Sequence, residues 1–164
     1  MATPTSLPAS FSAGAVLTAA QMNNLRGAFR VLQVIAGNTS TNATTSGTAL
    51  VDSNLTATIT PSATSSKILI CVAQNGVKTA AINTGVKLAL LRSTTVLTTF
   101  AQYLGYNTSS TDTGVAGSMF WLDSPNTTSA TTYKTQFARN GGSGTVEVQN
   151  NAAESSIILL EISA

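Results

Sequence analysis

From Val31 onward the chain is patterned in short runs with a period of two. "RVLQVIA" (30–36) and "LTATITP" (55–61) alternate, with Leu55, Ala57 and Ile59 on one face, threonines on the other and Pro61 closing the strand. "SKILICVAQ" (66–74) and "GVKLALLRS" (85–93) are more continuously apolar, as central strands covered on both faces would be. "TTVLTTFAQYLGY" and "GSMFWLDS" follow. "ATTYKTQFAR" sets Tyr133, Thr135 and Phe137 against Lys134, Gln136 and Ala138. "NGG" at 140–142 is a hairpin-turn signal before "GTVEVQN", and "SSIILLEISA" closes the chain. Eight or nine strands separated by Asn, Gly, Ser and Pro turns predict a mainly β fold, an antiparallel jelly-roll-type β-sandwich over residues 31–164. The Thr-rich stretches "NTSTNATTSGT" and "SPNTTSATT" read as loops.

Residues 1–30 follow another pattern. The first fifteen or so carry Pro4 and Pro8 and no apolar period, which predicts an extended arm. "VLTAAQMNNLRGAF" (16–29) predicts one short α-helix: Thr18 and Gln21 form a T-x-x-Q capping box, and Leu17 and Met22 occupy the positions of a hydrophobic staple. Met22, Leu25 and Phe29 then share one face. A helix of two or three turns, weakened by Gly27, is marginal alone and needs a partner surface. The N-terminus lacks a basic n-region and an apolar h-region, so it reads as retained rather than as a signal peptide.

Composition sharpens the picture at two points. Only 9 % of the 164 residues are charged, against roughly 25 % in an ordinary soluble domain. Hydroxyls and amides therefore solubilise the surface. The net charge of +2 is scattered, with no basic stripe to neutralise a row of phosphates, so nucleic acid is not an expected partner. Apolar runs are strand-sized, so no membrane insertion is expected. The single cysteine, Cys71, cannot form an internal disulfide and is expected as a buried thiol.

Candidate chemistry is sparse. The chain has no histidine, which removes the commonest general base and metal ligand, and one cysteine is too few for a zinc site. No catalytic residue, metal site or cofactor is expected. Six carboxylates, Asp52, Asp112, Asp123, Glu147, Glu154 and Glu161, are spread along the chain, so a glycosidase-like pair could arise only by the fold bringing two together. Phe120 and Trp121 are adjacent on a strand, so one points inward and the other away. Tyr103, Tyr106 and Trp121 are the candidates for stacking against a sugar on a host surface.

Phe11, Gly14 and Val16 to Asn23 match an "F-x-x-G-x-V-L-T-A-A-Q-M-N" pattern. In it the chain resembles structural proteins of tailed bacteriophages of the tail-fibre-like and minor tail type. "LTATITPSATSSKILI", "FWLDSPNTTSATTYKTQF" and "SSIILLEISA" extend the resemblance to small phage proteins over most of the chain. The resemblance implies a virion component, assembled in the host cytoplasm, whose jelly roll forms a homotrimer. Its N-terminal segment would dock on itself and on other virion proteins through Phe11, Leu17, Met22, Leu25 and Phe29. The expected function is a tail-fibre or tail-tip protein that contacts the host surface. A capsid decoration protein on the head lattice is the alternative within the class, and a carbohydrate-binding module the alternative outside it.

Overall fold

The computed structural model describes residues 14, 16, 18, 19, 30–109 and 112–163. Ten strands follow in order: β1 (Val31–Thr39), β2 (Ala43–Thr45), β3 (Val51–Ile59), β4 (Lys67–Thr79), β5 (Thr84–Arg92), β6 (Thr95–Asn107), β7 (Thr113–Asp123), β8 (Thr131–Asn140), β9 (Val146–Val148) and β10 (Ser155–Ile162). A 3₁₀ turn, Asn150–Ala152, separates β9 from β10.

All pairings are antiparallel. One sheet runs β3-β8-β5-β6, and the other runs β1-β10-β4-β9-β2 with β7 also on β4. The registers show that the second sheet is four strands wide. β10 pairs with residues 67–73 of β4 and β9 with residues 78–79, while β7 lies along the other side. β1 and β2 repeat the division, β1 on β10 and β2 on β9. Counting β1/β2 and β9/β10 as two interrupted strands leaves eight, ordered 1-8-3-6 and 2-7-4-5 by position in the chain. In plain terms, the sheets are β1/β2–β9/β10–β4–β7 and β3–β8–β5–β6, the arrangement of a jelly roll.

The interruption has a visible cause. β4 bulges between Gln74 and Val77, and Gly76 there has φ +57. A Cβ on Gly76 would lie 2.5 Å from the Asn150 backbone nitrogen and 2.7 Å from its oxygen. The 3₁₀ turn therefore seats on β4 only because residue 76 has no side chain.

Alternation builds the core. Leu55, Ala57 and Ile59 pack with Ile68, Ile70, Val72, Leu90, Tyr133, Ile157 and Leu159 in one cluster. Val77, Val86, Leu88, Phe137, Val146 and Val148 form a second. Buried polar side chains also link the sheets: the Ser53 and Thr135 hydroxyls are 2.5 Å apart, Thr135 Oγ1 donates to Gln74 Oε1 (2.8 Å), and Gln74 Nε2 donates to Ser155 Oγ (3.2 Å).

Four expectations change. β2 lies inside "NTSTNATTSGT", where three residues pair with β9 at the sheet edge; so short and Thr-rich a strand carries no apolar period. "NGG" is a turn, with Gly141 and Gly142 at positive φ, but it carries the chain from β8 in one sheet to β9 in the other rather than closing a hairpin. β4 and β5 are central as expected, yet the outward side chains of β4, Leu69 and Cys71, are only partly covered. Cys71 is accordingly outside the core: it pairs across with Phe120 and Ile158 on the outer face.

Candidate functional site

The strand registers give the sandwich two distinct ends. Arg30 enters at the first, where its backbone N–H donates to Ser163 Oγ (2.8 Å) and its carbonyl accepts from the Ser163 N–H (2.8 Å). The termini of β3, β5, β7, β8 and β10 lie at this end. At nine residues per strand the opposite end is about 30 Å away, and there the N-terminus of β5 meets the C-termini of β6 and β8.

Tyr103 and Tyr106 stand near this far end, 55 % and 47 % exposed. Their rings meet edge to face, with centroids 5.7 Å apart and planes at 90°. Residues three apart on a regular strand would face opposite ways. Here Thr84 pairs with Asn107 and Val86 with Leu104, two steps on β5 against three on β6. The extra residue, with Gly105 at φ +70, brings both rings to one surface.

The surroundings are neutral and polar. Tyr106 Oη donates to Asn83 Oδ1 (3.3 Å), and Asn140 Nδ2 donates to the Gln102 carbonyl (2.6 Å). A Cβ at Gly141 would come within 3.3 Å of the Tyr103 ring, so the turn lies close against it. The two tyrosines line an open depression of about 330 Å³. Aromatic faces beside amide groups suit stacking and hydrogen bonding to an uncharged polyhydroxyl ligand. Asn83 and Asn140 were not singled out from sequence, because the strand pairing alone brings them beside the tyrosines.

Trp121 is elsewhere. It is partly buried and packs against the first core cluster, while its neighbour Phe120 is 76 % exposed on the outer face. Phe11, Leu17, Met22, Leu25 and Phe29 lie outside the described residues. Within that segment Thr18 is non-helical and Ala19 helical.

Each carboxylate has its own polar partners. Asp52 pairs with Lys134 (2.8 Å) and accepts from Gln136 (2.7 Å); these contacts, Lys134 first, hold its pKa below the ordinary value. Asp112 pairs with Lys78 (2.9 Å), raising the Lys78 pKa. Asp123 takes Arg92 (2.8 Å) and the Tyr133 hydroxyl (2.6 Å). Burial, then Asp123, pushes the Tyr133 phenol far above its usual range. Glu147 accepts from Asn42 and Asn150, and Glu154 from Asn38. Glu161 is fully buried and accepts from the Ser62 N–H (2.7 Å), the Ser62 hydroxyl (2.6 Å) and Gln33 Nε2 (2.6 Å). Burial raises its pKa, but the hydrogen bonds outweigh burial and the net shift is downward. Among the described residues no three His, Cys, Asp or Glu side chains gather to hold a metal, and no helix is long and apolar enough to cross a membrane.

No protein-family model matches the chain, and no curated protein matches it. Among solved structures it is similar to VP2 of infectious bursal disease virus in its subviral particle, with a TM-score of 0.47, 10 % identity, 81 % of this chain covered and 34 % of that one. Structures of the Gx strain (0.47, 12 %, 82 % and 33 %) and the Gt strain (0.45, 13 %, 80 % and 38 %) of that virus are similar to a comparable degree. The chain spans about a third of the length of these proteins. Likeness at this level carries no conclusion about what this chain does.

Proposed function

We propose that this chain is a structural component of a bacteriophage virion, a homotrimeric tail-fibre or tail-tip protein without catalytic activity. The segment Phe11–Asn23, in front of a jelly roll, carries the reading. Its location supports it: the attachment segment joins the sandwich at Arg30, and the Tyr103–Tyr106 surface lies near the opposite end. An anchor at one end and an exposed aromatic pair at the other suit a protein that projects from a particle. The absence of histidine from the sequence and the separate partners of the six carboxylates support a non-catalytic role.

Deleting residues 1–29 tests the anchor. The truncated chain is expected to remain a soluble β domain and to be missing from purified particles; normal incorporation would refute the assignment. A second reading, in which the domain binds glycan, is favoured by the tyrosine pair and its amides. Tyr103→Ala and Tyr106→Ala should each remove glycan-array signal while leaving the thermal transition in place. Retained signal in both variants would exclude this surface as the glycan site.

A further inference from the structure

The outer face of the β1/β2–β9/β10–β4–β7 sheet is apolar although no second layer covers it among the described residues. The registers align Val34, Leu160, Leu69 and Leu122 in one row across β1, β10, β4 and β7. The next row is Ala36, Ile158, Cys71 and Phe120. Val34 and Leu122 are each 57 % exposed and Phe120 is 76 % exposed. The row beyond is neutral: Asn38, Ser156, Ala73 and Ser118. An antiparallel sheet normally gives its outer face to polar side chains. A contiguous apolar array marks a surface that is covered in the working protein.

We propose that this face is the subunit contact of the homotrimer, turned inward by three copies around a threefold axis with the strands running roughly along it. The proposal rests on the homotrimer reading above and names the surface that makes it. Three observations choose a second and third copy as the occupants. First, none of the three rows contains a charged side chain, so these rows meet their copies without like-charge repulsion; the lysine of the adjoining row, Lys67 opposite Ile162, is turned to Ser124 Oγ (2.7 Å).

Second, the dimensions close. Four strands at about 4.8 Å give a face about 19 Å wide, and three such faces form a triangular prism with an inner radius of about 5.5 Å. Sheets packed face to face lie about 10 Å apart, so each face contributes about 5 Å of side chain. Three faces therefore fill the axis. Third, cyclic symmetry sets the β7 edge of one copy beside the β1 edge of the next. That places large Phe120 next to small Ala36, and Leu122 next to Val34, along the same rows. The three rows cover about 380 Å² of each copy, and specific interfaces bury upwards of about 500 Å² per partner. Shared between two neighbours, the contact falls below that limit and is expected to be weak and reversible on dilution.

Cys71, the only cysteine, sits in the second row and reports on the contact. The test uses the full-length purified chain. Sedimentation is expected to give the mass of three chains at high concentration, with loss of the trimer in Phe120→Glu and in Leu122→Glu and an unchanged circular-dichroism spectrum in both. Maleimide labelling of Cys71 should be slow in the trimer and become fast on dilution or in either variant. A wild-type monomer or dimer, trimers that persist in both variants, or equal labelling in all states would overturn the assignment. Incorporation into particles is scored separately. Virions containing a chain that is monomeric when purified would sink this surface and leave the virion reading intact; a trimer made through this face but absent from particles would do the reverse.

Discussion

Glu161→Gln probes the most enclosed charge among the described residues. Both carboxylate oxygens are used: Oε1 accepts from the Ser62 N–H and hydroxyl, and Oε2 from Gln33 Nε2. Glutamine keeps the volume but turns one acceptor into a donor and removes the charge that strengthens all three bonds. Hydrogen bonds to a charged group are worth about 1.5–3 kcal/mol and neutral ones about 0.5–1.5. With Ser62 and Gln33 free to reorient, the net loss is about 2–3 kcal/mol. For a chain of this size that lowers Tm by about 4–12 °C. The assay is thermal unfolding of both proteins at one concentration from pH 7 to pH 3. Because the folded pKa of Glu161 lies below its unfolded value, its contribution is complete above the ordinary carboxylate pKa and is lost as pH falls through the folded pKa. The gap between the proteins should therefore be wide at pH 7 and close below about pH 4. A gap that does not change with pH, or one under about 0.5 kcal/mol at neutrality, would refute the reasoning.

Gly76→Ala should cost at least about 2 kcal/mol in urea unfolding, because the methyl would strike the Asn150 backbone at a positive-φ position. Tyr133→Phe removes the 2.6 Å bond to Asp123 but leaves Arg92 on the carboxylate, and should cost about 1–2 kcal/mol. Since the folded Tyr133 pKa is raised, stability from its protonated state is complete below the unfolded phenol pKa and falls as pH rises beyond it, so the wild type should lose part of its advantage over Tyr133→Phe in alkaline unfolding scans. Asp52→Asn, at an exposed pair, should change stability by less than about 0.5 kcal/mol.

The jelly roll was legible because its long strands alternate: β3 and β8 bury every second residue almost throughout, and Pro61 and the Asn/Gly turns mark the breaks. What escaped the pattern depends on pairing. β2 is too short and too rich in threonine to show a period, and the division of β9 from β10 rests on one glycine opposite a 3₁₀ turn. For the same reason the Tyr103–Tyr106 pair could be named but not placed together: only the β5–β6 bulge puts them on one surface. The run "KILICVA" correctly marked a central strand, but a one-chain pattern cannot say whether the second apolar face meets its own chain or another copy. Trp121 and Phe120 divided as alternation requires, with the tryptophan inward.

The central claim is that this chain is part of a phage particle, held at the tail by residues 1–29. Electron microscopy of purified virions labelled with an antibody to the β domain tests it most directly. The account predicts label at the tail end. Label distributed over the head, or particles that carry none, would contradict it.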